Sequence, residues 1–196
     1  MSKAEKTKQF IIEKTAPIFN QKGYAGTSIN DLTEATGLTK GGIYGNFINK
    51  DAVAVAAFDH NYGALRKAIK ERMDEKDHPI DKLKVHLTVF SDMQHLTHLK
   101  YGCPILNTAI EADDTHEDLR KRASHAIDNW YKSISDIIKQ GQDNGQIQLS
   151  VNHQDFAGAY IALLEGGIML TKVTGKKQGL DAAIKQATKM LAEISI

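Results

Sequence analysis

The sequence predicts an all-helical protein, and three observations carry that reading. Hydrophobic residues recur at three- and four-residue spacing along almost the whole chain; no run alternates apolar and polar residues over strand length; and only three prolines interrupt 196 residues. Glycine, proline and capping residues punctuate the pattern at 23–27, 37–39, 48–49, 76–79, 100–104, 113–115, 144–152 and 174–179, which separates about nine helices. There is no internal repeat and no low-complexity segment.

With 41% hydrophobic and 25% charged residues, the chain has the composition of a globular protein with one large or two small cores. A single cysteine, Cys103, excludes an internal disulfide and offers no thiolate cluster for zinc, so no structural metal is expected; no cofactor is expected either. Residues 1–8 are charged and run into a helical pattern, unlike a secretory signal. The most apolar stretch, 160–170, is broken by Glu165 and is shorter than a bilayer requires. The expected compartment is the cytoplasm, without membrane association.

Charge divides the chain unevenly. Residues 1–50 hold seven lysines and four acids, net +3, whereas residues 51–196 hold 18 basic and 20 acidic side chains, net −2. A basic end is either a solvated lysine surface or a phosphate-binding one, and the local motif must distinguish them. The expected division is a small basic head, residues 1–50, and a larger helical body, residues 51–196, connected by the helix that follows Asn49.

In the head, a first helix over about Lys6–Lys22 is expected to turn Phe10, Ile12, Ala16 and Phe19 inward, with Gly23 as a left-handed stop. Pro17 predicts a bend or break near Thr15–Pro17, because an interior proline loses a backbone donor and clashes with the preceding turn. Thr27 or Ser28 then caps a short helix, with Asp31 three residues after Ser28 as a capping box requires. Gly37 ends that helix, and Thr39 opens a second through Lys40-Gly41-Gly42-Ile43-Tyr44-Gly45-Asn46-Phe47. Two short helices about a glycine turn form a helix-turn-helix. Ile29, Leu32, Leu38, Ile43 and Phe47 would pack the pair, leaving Thr39, Lys40, Gly41, Gly42, Tyr44 and Asn46 outward, a polar and small set suited to a DNA groove.

The run from Phe10 through Ala54, with Ala25-Gly26-Thr27-Ser28-Ile29, Gly37-Leu38-Thr39-Lys40-Gly41-Gly42-Ile43-Tyr44 and Phe47-Ile48-Asn49-Lys50-Asp51-Ala52, resembles the DNA-binding head of the TetR/AcrR family. The resemblance implies an N-terminal three-helix DNA-binding domain on a C-terminal helical ligand-binding and dimerisation domain. It further implies a homodimeric repressor that binds a palindromic operator and is released by a signal in the body. Thr27, Ser28, Tyr44 and Lys50 would then meet phosphates, and Thr39, Lys40, Gly41, Gly42 and Asn46 would face bases. Asn46 has the amide to pair with adenine, and Lys40 can donate to guanine. The first arginine is Arg66, so the head offers no bidentate arginine readout.

Gly41, Gly42 and Gly45 each cost a helix about 1 kcal/mol against alanine. Either they permit close approach of backbone to DNA or they permit close packing on a neighbouring helix.

In the body, Pro79 and Cys103-Pro104 mark helix starts, proline being favoured in the first turn. Thr115, with Asp118 three residues on, is the expected cap of a long helix whose inner face is Leu119, Ala123, Ala126, Trp130, Ile134 and Ile137. Gly158, Ala162 and Gly166 form a small-residue stripe in the helix 153–174, and apolar residues at 180, 184, 187, 191 and 194 form a seam in the last helix. These two helices would either pair with a second copy, as the resemblance implies, or close an internal core.

Phe90, Tyr101, Cys103, Asn107, Trp130, Tyr131, Ile134 and Tyr160 are candidate walls of a pocket for an unknown small-molecule inducer, the alternative being plain core. Cys103 at a helix N-cap is either an electrophile-sensitive thiol or a small buried hydrophobe. His95, His98 and Cys103 could in principle form a nucleophile or metal site, but no acid is spaced to orient either histidine, and no enzyme is expected. A helical interaction module without sequence-specific DNA binding is the remaining alternative.

Overall fold

The computed structural model describes residues 2–96 and 99–196. Nine α-helices occur among them: α1 Lys3–Lys22, α2 Ile29–Thr36, α3 Lys40–Tyr44, α4 Lys50–Met73, α5 Pro79–Ser91, α6 Pro104–Ala112, α7 Glu117–Asp143, α8 His153–Thr174 and α9 Gln178–Ile194. A 3-10 turn covers Met93–His95, and an isolated antiparallel bridge joins Ile147 to Ser195. Two compact units result: Met1–Leu65 with Tyr101–Ala126, and Arg66–Lys100 with Ile127–Ile196. Thus α6 and the first part of α7 belong with the N-terminal helices.

In the first unit α1 begins earlier than its apolar pattern suggests, because Ser2 and Glu5 form a capping box: the Glu5 N–H donates to Ser2 Oγ at 3.2 Å and the Ser2 N–H to Glu5 Oε2 at 2.6 Å. Its buried face is Ile11, Thr15, Ala16, Phe19 and Asn20; Ala16 and Phe19 are inward as expected, but Ile11 takes the inward place expected of Phe10 and Ile12. Phe10 instead remains 38% exposed and Ile12 half-buried. Pro17 does not break the helix. Burial of Ile11 and Phe19, about 1.5–3 kcal/mol each, offsets a proline penalty of about 3 kcal/mol. Thr15 turns its hydroxyl onto the Ile11 carbonyl at 2.8 Å, and the Asn61 amide of α4 donates to the Ala16 carbonyl at 2.9 Å.

The cap of α7 also differs from expectation. Thr115 donates its hydroxyl to the Glu111 carbonyl at the end of α6, and His116 takes the capping role, its Nδ1 accepting from the Leu119 N–H at 3.3 Å. The expected inner face of α7 is buried at every position from Leu119 to Ile137.

In the second unit α8 packs on α9, and α5 packs on both. α8 and α9 approach closely at Gly167, where an added Cβ would lie 2.7 Å from Ala183 Cβ and 3.1 Å from Leu180 Cα, and at Gly179, where one would lie 2.6 Å from Leu170 Cβ. Along the small-residue stripe, α7 comes close at Gly158, where an added Cβ would lie 2.8 Å from the Tyr131 hydroxyl, whereas Gly166 opens on free space within this chain. Leu180, Ala183, Ala187, Leu191 and Ile194 of α9 are buried within the chain, so most of the anticipated seam is internal core, with Ala183 replacing Ile184. The open apolar stripe lies on α8 instead: Ala159, Ala162, Met169, Leu170 and Val173 are exposed. By length and composition alone α8 is long and apolar enough to cross a bilayer, and 44% of its most apolar window is buried inside the protein.

Gly167→Ala is expected to destabilise the protein by about 1–3 kcal/mol, because α8 and α9 must move apart. Gly63→Ala, where an added Cβ meets nothing within 4 Å, should stabilise it by about 0.5–1 kcal/mol. Urea unfolding midpoints of the two variants check both signs.

Candidate nucleic-acid interface

The segment 27–50 folds as two short helices held by local capping. Ser28 caps α2, with its Oγ accepting from the Asp31 N–H at 3.2 Å and donating to Asp31 Oδ2 at 2.7 Å. Lys22 pairs with Asp31 at 2.6 Å, and that ammonium, together with the Ser28 donors, holds the Asp31 carboxyl well below the usual carboxylate range. Gly37 ends α2 in the left-handed conformation, and Thr39 caps α3, its Oγ1 accepting from the Gly42 N–H at 3.1 Å. Leu32, Ile43 and Phe47 are buried, and Ile29 and Leu38 half-buried.

The outward residues fall into groups. Ser28, Thr39, Lys40 and Gly41 are exposed, and Gly42, Tyr44, Asn46 and Lys50 are half-buried. Thr27 differs from its sequence expectation: its side chain is fully buried and its hydroxyl donates to the Gly23 carbonyl at 2.6 Å, so only Ser28 presents a hydroxyl there. The Asn46 amide donates to the Gly42 carbonyl at 2.9 Å, and Lys40 sits 5.9 Å from the centre of the Tyr44 ring. A Cβ added at Gly41 would come no nearer than 3.9 Å to Thr39 Oγ1, and one at Gly42 no nearer than 3.5 Å to Leu38 and Thr39. Among the described residues no second helix presses on this face, which removes the packing explanation for these two glycines.

Behind the interface lies a cluster that local sequence rules did not reveal. Tyr24 donates its hydroxyl to Asp51, which together with burial pushes its pKa up to about 12. Lys50 stands 4.2 Å from the centre of the Tyr24 ring, and the His116 ring meets its edge at 4.6 Å. Glu111 accepts from the Tyr24 and Ala25 N–H groups, each at 2.7 Å. Asn20 donates to the Gly102 carbonyl at 3.1 Å and accepts from the Asn107 amide at 2.8 Å. Partners 26 to 92 residues apart leave no local pattern; the only hint was Asn20, a polar residue four positions from Ala16 on the inner face of α1.

The anticipated pocket residues separate. Tyr101, Cys103 and Asn107 belong to the first unit, where Cys103 is buried at the N-cap of α6 and Asn107 also donates to the Tyr101 carbonyl at 3.1 Å. Phe90, Trp130, Tyr131, Ile134 and Tyr160 belong to the second. Phe90 and Trp130 lie 5.4 Å apart, and His86 joins Trp130 to Tyr160 through ring contacts at 5.8 and 6.3 Å. Ile134 is fully buried, whereas Tyr131 is 38% exposed. His86 was missed, although its place on the apolar stripe Leu83, Leu87, Phe90 marks it as a polar residue turned inward. Trp130 donates to its Nδ1 at 3.2 Å, so the neutral ring carries its proton on buried Nε2. His95 is exposed and His98 lies outside the described residues; among the described residues no group of three or more His, Cys, Asp or Glu could hold a metal.

Comparison with known proteins agrees with this geometry. Residues 11–57 match the family profile described as bacterial regulatory proteins, tetR family, and residues 79–187 match the tetracyclin repressor-like C-terminal domain. An HTH-type transcriptional regulator from Lactococcus lactis is 31% identical over 170 residues, covering 86% of this chain and 84% of its own. The transcriptional repressor DhaR from a Mycobacterium species is 24% identical over 175 residues, covering 89% of this chain and 86% of its own. The crystal structure of a TetR-family regulator from Cytophaga hutchinsonii superposes with a TM-score of 0.92 at 42% identity, covering 100% of this chain and 98% of the other.

Burial holds the His86 pKa down from its ordinary 6.5 to about 4. As pH falls through this interval the unfolded chain takes up a proton before the folded one, so stability declines between about pH 6.5 and 4, by on the order of 3 kcal/mol. His86→Phe should lose that part of the pH dependence; melts of both proteins from pH 7 to 4.5 with equal slopes would contradict it.

Proposed function

The chain belongs to the TetR family of transcriptional regulators, and from that premise we propose that it is a repressor that binds a palindromic operator as a homodimer and lets go on a signal received in its body. As a member of this family it is a DNA-binding regulator and not an enzyme. The observation that carries the finer reading is the outward face of α3: among the described residues no neighbouring helix packs on Gly41 or Gly42, yet each costs helical stability. A face kept bare at that cost suits close approach to a duplex.

On this reading α3 enters the major groove, with Thr39, Lys40, Gly41, Gly42 and Asn46 toward bases. Asn46 must exchange its bond to the Gly42 carbonyl for one to adenine. Ser28, Tyr44 and Lys50 take phosphates, Lys50 by leaving the Tyr24 ring; Thr27 supports the turn from inside. The DNA-binding part is residues 1–50 and the regulatory and dimerisation part 51–196, working in the cytoplasm.

Dimerisation through the C-terminal helices is supported by the α8 stripe, where Met169, Leu170 and Val173 are 42%, 48% and 77% exposed at helical spacing. A two-fold dimer presents two α3 helices to half-sites about 34–36 Å apart, one turn of DNA. An inducer must bind the released conformation better than the DNA-competent one. For a small molecule the Phe90, Trp130 and Tyr160 cluster supplies aromatic walls with His86 as a hydrogen-bond donor; for an electrophile the candidate is Cys103.

Gly42→Leu is expected to weaken duplex binding at least 100-fold, roughly 2.7 kcal/mol or more, with an unchanged melting temperature; equal affinity for the same fragment in a gel-shift titration would contradict the groove reading. Cys103→Ser should no longer leave DNA when thiol-reactive compounds are added. Release equal to that of the parent protein would eliminate the electrophile branch.

A further inference from the structure

We propose that Glu111, on α6, is a positioning residue for DNA binding: its carboxylate holds the turn between α1 and α2 in the conformation that presents Ser28 and the start of α2 to a phosphate. The inference rests on the regulator reading above and adds to it a residue that lies outside the helix-turn-helix.

Four observations carry it. Both carboxylate oxygens are used, Oε2 by the Tyr24 N–H and Oε1 by the Ala25 N–H, each at 2.7 Å. Charge-assisted bonds to two consecutive backbone donors fix a turn more firmly than one neutral bond does. The backbone is shaped for the contact, since Gly23 has φ 72° and ψ −179°, a region open essentially to glycine. A Cβ there would lie 2.2 Å from Glu111 Oε2. From the held residues the chain passes directly to the interface: the Gly23 carbonyl accepts from the Thr27 hydroxyl, and Ser28 follows as the α2 cap. Finally, a small cavity of about 20 Å³, lined by Asn20, Tyr24, Asn107 and Glu111 among others, has room for about one water. Glu111 thus borders free volume on one side, and its two hydrogen bonds supply the directional contacts that place it.

The sign of the charge separates this role from a bystander's. A carboxylate near phosphates repels them, so neutralising a bystander acid tightens DNA binding or leaves it unchanged. Neutralising a positioning carboxylate weakens it. Glu111→Gln is isosteric, but its amide has one acceptor for two N–H donors and sets its own NH₂ against the second.

The test uses the full-length protein and the duplex that the parent protein protects in footprinting. Glu111→Gln should bind that duplex about tenfold more weakly, with faster hydrogen exchange at the Tyr24 and Ala25 amides and a melting temperature close to the parent's. Glu111→Asp, which keeps the charge but withdraws both oxygens, should weaken binding as well. Unchanged or tighter binding by Glu111→Gln overturns the role of Glu111, whatever the exchange rates show. Parent protein that binds no duplex would instead overturn the regulator reading, a different result from the first.

Discussion

A helix of five residues containing two glycines, with a third at its cap, cannot hold itself together, and the whole account depends on what holds it. Isolated helices this short are unstable in water even with good helix formers, and each glycine of α3 adds about 1 kcal/mol against it. Burial of Ile43 and Phe47 on one side and the Thr39 cap at its start must supply the order. The consequence is a helix whose inner face is fixed by packing and whose outer face is left nearly bare. Such an element suits presentation to a rigid partner: its position is set by the head, and its surface adds no bulk.

The head is in turn ordered by polar ties as much as by its apolar core. Asn61 reaches the Ala16 carbonyl and Asn107 reaches Asn20, while Glu111 and Tyr24 bind the turn before α2 to α6 and to the start of α4. These bonds are directional, so they fix orientation where apolar contacts would allow sliding. They also make the first unit a composite of distant segments, with α6 and the start of α7 packed into the same unit as the helix-turn-helix. A change in α6 is therefore a change in the unit that carries the DNA-facing residues.

What could be read in the sequence followed from local chemistry. Ser28, Gly37 and Thr39 sit where capping rules place them, and the α7 face from Leu119 to Ile137 follows from its three- and four-residue spacing. Errors arose where a rule chose between near-equivalents. In α1 the apolar residues Phe10, Ile11 and Ile12 are adjacent, and periodicity alone could not choose the inward one. At α7 a histidine acted as the cap in place of the more usual threonine. In α9 the seam was found, yet spacing does not say whether a seam meets its own chain or a second copy. Glu111 and Tyr24 were beyond reach because their roles depend on partners far away in sequence; for His86 the apolar stripe of α5 marked an inward polar residue, but its partner Trp130 lies 44 residues away.

Footprinting the purified protein on genomic DNA at low ionic strength tests the central claim most directly. The account predicts discrete protected sites with two-fold symmetry, their half-sites about one helical turn apart, and occupancy that falls steeply as salt is added. Protection that is uniform along the DNA, or absent, would contradict it.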